Sequence, residues 1–210
     1  MVFAYLLLRM RTILSYVLPC MAWLCAVSPL QARYFSTVVI DPGHGGHDKG
    51  CQWGRVYEKH LCLDTSLRLE NTLRSKGYRT AMLRRSDYFI SLPQRVSMAS
   101  KYRNAIFVSV HYNFTWRKDA SGLETFYYSS ESQSLASYVQ SGMLKRVRGE
   151  NRGVKNARYY VIRNAKMPAI LVECGFVSNQ GERDKMRKAW YRQAVADGIA
   201  DGISKYRSRG

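Results

Sequence analysis

His44, Glu58, His111 and Glu173 are the side chains best suited to metal-assisted hydrolysis. His44 lies in the run DPGHGGH at 41–47, which directly follows the β-branched stretch TVVID at 37–41. Glu58 opens a stretch with helical spacing. His111 follows the apolar stretch AIFVSV at 105–110 without a gap, and Glu173 closes the stretch AILVE at 169–173. Two neutral imidazoles and one carboxylate are a common ligand set for a catalytic zinc, and they leave one coordination position for water. A second carboxylate can then serve as the base. Taken singly, a histidine at a strand end is equally at home in a structural role, so the metal reading rests on the joint placement of the four residues.

The elements that must position these residues alternate along the chain. Short apolar runs predict strands at 37–41, 78–83, 105–110, 123–128, 159–162 and 169–173. Leu61, Thr65, Leu69 and Leu73 form a helical stripe within 57–76, and Gly77 stands where a C-terminal cap belongs. Ser91, with Pro93 and with Gln94 three residues on, has the spacing of a capping box at the head of a second helix. Further helices are expected at 135–147 and 190–206, with a linker carrying Arg152 and Lys155. This alternation predicts an α/β fold: a single domain with a mostly parallel sheet and helices on both faces. Such sheets carry functional residues just past the C-terminal ends of their strands. Gly43, Gly45 and Gly46 are expected to permit the tight loop that turns His44 back over the sheet edge.

The first 32 residues read differently. They hold no acidic residue, place Arg9 and Arg11 before an apolar run at 13–27, and end in Ala32. That is the pattern of a secretory signal, so residues 33–210 are the expected mature domain. The apolar run is short for a membrane-spanning helix, so no stable membrane insertion is expected after cleavage. The chain has 33 basic and 15 acidic residues, a net charge of +18. Without 1–32 the balance is 31 to 15, a net of +16, so the basic character belongs to the mature domain. Such a charge suits a polyanion. Export disfavours nucleic acid and favours an envelope polymer, with a periplasmic or otherwise exported location. Cys51, Cys62 and Cys174 remain in the mature domain, and an odd number of thiols allows at most one bridge. No Ser is followed three residues later by Lys, which disfavours a serine acyl-enzyme of the S-x-x-K kind.

Several separated motifs carry a family resemblance. They are residues 39–50 (VIDPGHGGHDKG), Glu58-Lys59, residues 109–113 (SVHYN) and residues 168–179 (PAILVECGFVSN). Residues 122–128 (GLETFYY), 152–155 (RGVK) and 160–164 (YVIRN) add to them. Over about 38–206 the chain resembles the zinc-dependent N-acetylmuramoyl-L-alanine amidases of the third amidase type. The resemblance implies a six-stranded sheet. It also implies hydrolysis of the amide between the lactyl group of N-acetylmuramic acid and the L-alanine of the stem peptide, in cell-wall remodelling or daughter-cell separation. By position, His44, Glu58 and His111 would hold one Zn²⁺ per chain, and Glu173 would be the catalytic carboxylate. Peptidoglycan, as polymer or fragments, is the implied substrate.

Some positions depart from the family pattern or need weighing. Tyr112 replaces a usually small residue, which implies an altered groove wall. Cys62, four residues after Glu58 on one helical face, either approaches the metal or fills the core. His60 faces away from Glu58, and His47 is expected at the groove or surface. Arg85, Asp87 and Arg95 are expected in structural ion pairs or hydrogen bonds. The clusters at 158–160 and 190–192 are expected to pack rather than bind glycan. Some relatives insert a blocking helix between the second histidine and the catalytic glutamate, removed by a partner protein. The interval 111–173 has no room for one, so no obligatory activator is expected. A zinc carboxypeptidase acting on stem peptides and a non-catalytic peptidoglycan-binding module are the competing classes.

Overall fold

The computed structural model describes residues 35–208; the export signal expected over 1–32 lies outside the described residues. A six-stranded sheet runs in the order β4-β1-β5-β8-β6-β7. Its strands are β1 (Thr37–Pro42), β4 (Arg79–Met82), β5 (Ala105–Asn113), β6 (Leu123–Tyr127), β7 (Asn151–Asn156) and β8 (Ala169–Phe176). The pairs β1/β4, β1/β5, β5/β8 and β6/β7 are parallel, and only β6/β8 is antiparallel. Two short strands, β2 (Gln52–Trp53) and β3 (Val56–Tyr57), form a separate hairpin. The α/β architecture and mostly parallel sheet expected from the sequence are therefore present.

Helices cover both faces because successive strand residues point opposite ways. Val38, Ile40, Ile106, Val108, Val110, Ile170 and Val172 pack under three long helices: α1 (Glu58–Ser75), α3 (Ser130–Arg146) and α6 (Ala189–Ser208). The alternate residues Val39, Phe107, Ala169 and Leu171 pack under two short ones, α2 (Leu92–Ala99) and α4 (Tyr160–Asn164). Ser91 and Gln94 form the expected reciprocal capping box at the head of α2. A further short helix, α5 (Gln180–Met186), follows β8.

Three expectations from the sequence need correction. The stretch at 159–162 is not a strand; residues 160–164 form α4, where Val161 and Ile162 fill the gap over Phe107 and Leu171. The sixth strand is instead β7, drawn from the expected linker. Its sequence, NRGVKN, is polar because β7 is a half-exposed edge strand paired on one side only. The second long helix, α3, begins at Ser130, five residues earlier than its apolar pattern, because its first turn is polar.

On the second face the parity that buries Val39, Phe107 and Leu171 continues into polar residues. Asp41, Ser109, His111 and Glu173 stand at the C-terminal ends of the same strands. Ser109 pairs with Asp41 in register, and its Oγ donates to Asp41 Oδ2 at 2.8 Å. The chain leaves β1 toward β4 on one side, and β5 lies on the other. The crevice where connections diverge is the favoured ligand site of open α/β sheets, and here it opens between His44 and His111.

Candidate metal centre and active site

His44 occupies the loop after β1 with φ +59°, a left-handed conformation that a non-glycine residue adopts at a cost of about 1–3 kcal/mol. Two buried arginines hold that loop. Arg95 donates to Pro42 O and His44 O, both at 2.7 Å. Arg84 donates to Pro42 O, Gly43 O and Lys59 O at 3.1, 2.7 and 2.9 Å. Gly45 and Gly46 have positive φ, as the tight loop requires, but Gly43 does not. Gly43 is needed for space: a Cβ there would lie 2.4–2.7 Å from three ring atoms of His111.

Asp48, four residues on in the same loop, accepts from His44 Nδ1 at 2.9 Å. A carboxylate on one ring nitrogen orients the ring and leaves the other nitrogen free to ligate. That other nitrogen, Nε2, lies 3.1 Å from Glu58 Oε1. Asp48 was not singled out from the sequence, although it stands inside the histidine loop.

Glu58 is the first residue of α1, where the helix dipole favours an anion. The β2–β3 hairpin leads into it, with Glu58 N donating to Cys51 O at 3.0 Å. Its side chain is buried, and Oε1 accepts from His111 Nδ1 at 2.9 Å and Tyr112 N at 3.1 Å. Oε2 accepts from Cys51 N at 2.9 Å. Burial alone would raise the Glu58 pKa, but the hydrogen bonds and charges of His111 and His44 overcome it and hold the carboxyl well below its usual range. Burial likewise opposes a charged His44, yet the carboxylates of Glu58 and Asp48 outweigh it and raise that pKa.

The result is a compact donor set. One ligand atom each from His44, Glu58 and His111 lies within 4.8 Å of the others. Glu173 pairs with His111 in register on the adjacent strand. Its carboxyl is buried, and its Oε2 has no hydrogen-bond partner among the described residues. Burial, then the neighbouring Glu58 and Glu124, push its pKa well above the usual carboxylate range. His111 and Glu173 are thus inside the last turns of their strands rather than just past them, since β5 runs to Asn113 and β8 to Phe176.

The sequence profile of the N-acetylmuramoyl-L-alanine amidases matches residues 38–205. The chain belongs to this amidase family. It is similar to the uncharacterised protein YqiI of Bacillus subtilis, 36% identical over 185 residues, covering 86% of this chain and 88% of YqiI. It is 35% identical over 174 residues to the N-acetylmuramoyl-L-alanine amidase LytC of the same organism. That match covers 81% of this chain but 35% of LytC, so the chain spans about a third of that relative's length. Among solved structures it resembles the amidase AmiC2 of Nostoc punctiforme, with TM-score 0.79 and 37% identity, covering 82% of this chain and 97% of that one.

Other residues of this amidase fall where the sequence did not suggest. Tyr112 lines no groove wall. It is 1% exposed, and its hydroxyl lies 2.7 Å from Thr65 Oγ1 inside the core. Cys62 is fully buried behind the Glu58 carboxylate, with its Sγ 4.0 Å from Oε1, and is not in the donor set. Cys51, Cys62 and Cys174 are all free thiols, and burial raises the pKa of each. His47 stacks on Phe89 at 4.2 Å, and His60 sits 3.6 Å from Asp87, so neither joins the metal ligands. Arg85 pairs with Glu70 at 2.5 Å and Asp87 with Lys59 at 2.6 Å, as structural ion pairs. Tyr191 and Arg192 pack as expected, through bonds to Cys174 O and Asp64, but Trp190 does not: it is 60% exposed. Tyr159 and Tyr160 do not pack away: they are half-exposed and line a cavity of 440 Å³ with His44, His111, Phe89 and Leu92.

Glu124 was also missed. It pairs with Glu173 in register, accepts from Asn113 Nδ2 at 2.5 Å and bonds to Lys155 Nζ. It sits within the GLETFYY signature, where its acidic character amid apolar residues is the available signal.

Proposed function

We propose that this amidase is a zinc enzyme that hydrolyses the amide between N-acetylmuramic acid and L-alanine in peptidoglycan. Exported behind the signal at 1–32, it would act in the periplasm or elsewhere in the envelope, in wall remodelling or daughter-cell separation. The observation that carries this reading is the donor set His44–Glu58–His111 with the partnerless Glu173 carboxyl on the next strand. The donors fit zinc in kind: two imidazole nitrogens and one carboxylate, with Asp48 orienting one ring. A buried carboxyl oxygen without a partner is uncommon and marks a place where another group belongs.

In this reading His44, Glu58 and His111 hold the ion. Zn²⁺, when bound, supplies Lewis acidity that polarises the scissile carbonyl and acidifies a water. Glu173 takes the proton of the attacking water on its carboxylate and returns it to the departing amine of L-alanine. The walls made by Phe89, Leu92, Tyr159 and Tyr160 are suited to hold substrate against these groups. Arg84 and Arg95 act on none of these atoms; they fix the backbone that carries His44.

Residues 33–210 contain the whole described domain and, loaded with Zn²⁺, are expected to digest isolated peptidoglycan with no activator. Among the described residues the interval between His111 and Glu173 holds β6, α3, β7 and the five-residue α4. Mass spectrometry should find stem peptides with a free L-alanine N-terminus. Release of D-alanine instead would make the enzyme a carboxypeptidase. A folded, zinc-loaded protein that stays silent until a partner is added would refute activator independence.

The mature charge of +16 adds long-range attraction to anionic wall material. Binding to purified sacculi is expected to fall steeply between low salt and ~0.5 M salt, where the Debye length is about 4 Å. Co-sedimentation across a salt series measures this. A flat series would mean that short-range groove contacts dominate.

A further inference from the structure

A second cavity, of 370 Å³, involves the β2–β3 hairpin and shares no lining residue with the cavity beside His44 and His111. It is lined by Trp53, Gly54, Arg55, Val56, Arg183 and Arg187. Three of its six residues are arginines, and none is acidic. They come from separate parts of the chain: Arg55 from the hairpin turn, Arg183 from α5, and Arg187 from the end of α5. Arg183 is held in place, donating through Nη1 to Val177 O at 2.8 Å and Ser178 O at 3.3 Å. Its guanidinium lies 4.9 Å from the Trp53 ring centre, and Lys118 Nζ lies 5.6 Å from the same ring. Arg55 and Arg187 are exposed, and their side chains make no hydrogen bond or ion pair among the described residues.

The acids on α5 stay out of the cavity lining: Asp184 is exposed and does not line it. Glu182 turns inward and accepts from Gly122 N at 2.8 Å and Phe176 N at 2.7 Å. The contrast with a third cavity is informative. There Arg152 and Lys155 already face Glu124 and Glu150. In the Trp53 cavity, by contrast, no acidic side chain stands among the lining residues. Guanidinium groups bind carboxylates and phosphates through paired, planar hydrogen bonds, and three converging on one space suit an oxyanion. The cavity is linked to the candidate centre along the chain: its hairpin wall leads directly into Glu58, and the carbonyls anchoring Arg183 follow the end of β8, the strand that carries Glu173.

We propose that Arg55, Arg183 and Arg187 form a binding site for an oxyanion group of an envelope polymer, which holds that polymer beside the metal centre. The site rests on the proposed function for the source of its ligand. A carboxylate of the stem peptide and a phosphate of a phosphodiester polymer share the required chemistry.

The test uses residues 33–210 carrying Glu173→Ala, so that binding is read without hydrolysis. One arm measures co-sedimentation with peptidoglycan stripped of phosphate polymers; the other measures titration with soluble poly(glycerol phosphate). The variant Arg55→Gln/Arg187→Gln removes two exposed cations of the cavity. The variant Arg79→Gln/Lys101→Gln removes the same charge from two exposed positions outside the cavity lining. At ~0.1 M salt the cavity variant is expected to bind at least one probe about tenfold more weakly, the sum of two exposed ion pairs. The Arg79→Gln/Lys101→Gln variant should lose less than about threefold, as screened long-range charge does. The probe that responds identifies the source as carboxylate or phosphate. Equal losses for the two variants would assign the affinity to diffuse charge and overturn the site, as would no loss on either probe. Product release by the unmodified chain is measured separately. Its failure would remove the amide reading while leaving the binding result standing.

Discussion

Glu173→Ala is expected to retain zinc yet lose amide hydrolysis by about 10²–10⁴-fold, the usual contribution of a positioned general base. The expectation comes from placement. Glu173 lies beside His111 on the next strand but outside the three-atom donor set, and its Oε2 is buried without a partner. In the proposed mechanism, removing it takes away the proton acceptor and leaves the three-residue donor set intact. His44→Ala, Glu58→Ala and His111→Ala should instead lose both zinc and activity. Elemental analysis and turnover of a defined muropeptide separate the two outcomes. Near-normal turnover by Glu173→Ala would refute the base assignment. Zinc loss in that variant would make Glu173 a ligand instead.

Arg95→Ala is expected to lower the stability of the domain by about 3–5 kcal/mol, because it strands a buried carboxylate. Arg95 is 3% exposed and Asp41 1%, with Nη1 2.5 Å from Asp41 Oδ1. The same guanidinium donates to Pro42 O, His44 O and Ile90 O. Its loss therefore also frees the strained loop that carries His44, and, if His44 ligates zinc as proposed, metal affinity should fall with stability. Arg95→Lys should rescue little, since an ammonium cannot reproduce the planar set of donors. For a domain of this size the expected fall in Tm is roughly 10 °C. The double replacement Asp41→Asn/Arg95→Met should lose less than Arg95→Ala alone, because no buried charge is left unpaired. Thermal denaturation of the three variants, with zinc affinity measured alongside, checks this. An unchanged Tm for Arg95→Ala would mean that the ion pair contributes nothing net.

That the four candidate residues converge was open to sequence reading because each is tied to a strong local signal. His44, His111 and Glu173 follow or close β-branched runs that are buried on both faces, and Glu58 heads a helix with an apolar stripe. Such patterns depend on residues within a few positions of one another, so a linear scan finds them. The mostly parallel sheet follows from the same alternation of runs and helices. The +16 charge of residues 33–210 is likewise a property of composition, and it holds whatever the fold.

Tertiary structure alone decided what depends on distant partners. The stretch YVIRN has local strand character but becomes α4, because Val161 and Ile162 are needed over Phe107 and Leu171. The polar NRGVKN becomes β7 because β6 offers a free edge whose backbone groups require a partner. Tyr112 reads as a groove residue until the parity of β5 turns it toward Thr65 in the core. Arg84 and Glu124 look like surface charges in the sequence, and Arg95, expected in a structural ion pair, has no partner that the sequence names. They are buried because their partners are Gly43, Lys155 and Asp41, tens of residues away. The cationic cavity is of the same kind, since Arg55 and Arg183 meet only once the hairpin and α5 are packed together. Periodicity records which side of an element is buried, whereas a buried ion pair or a converging charge cluster exists only when remote segments are brought into contact.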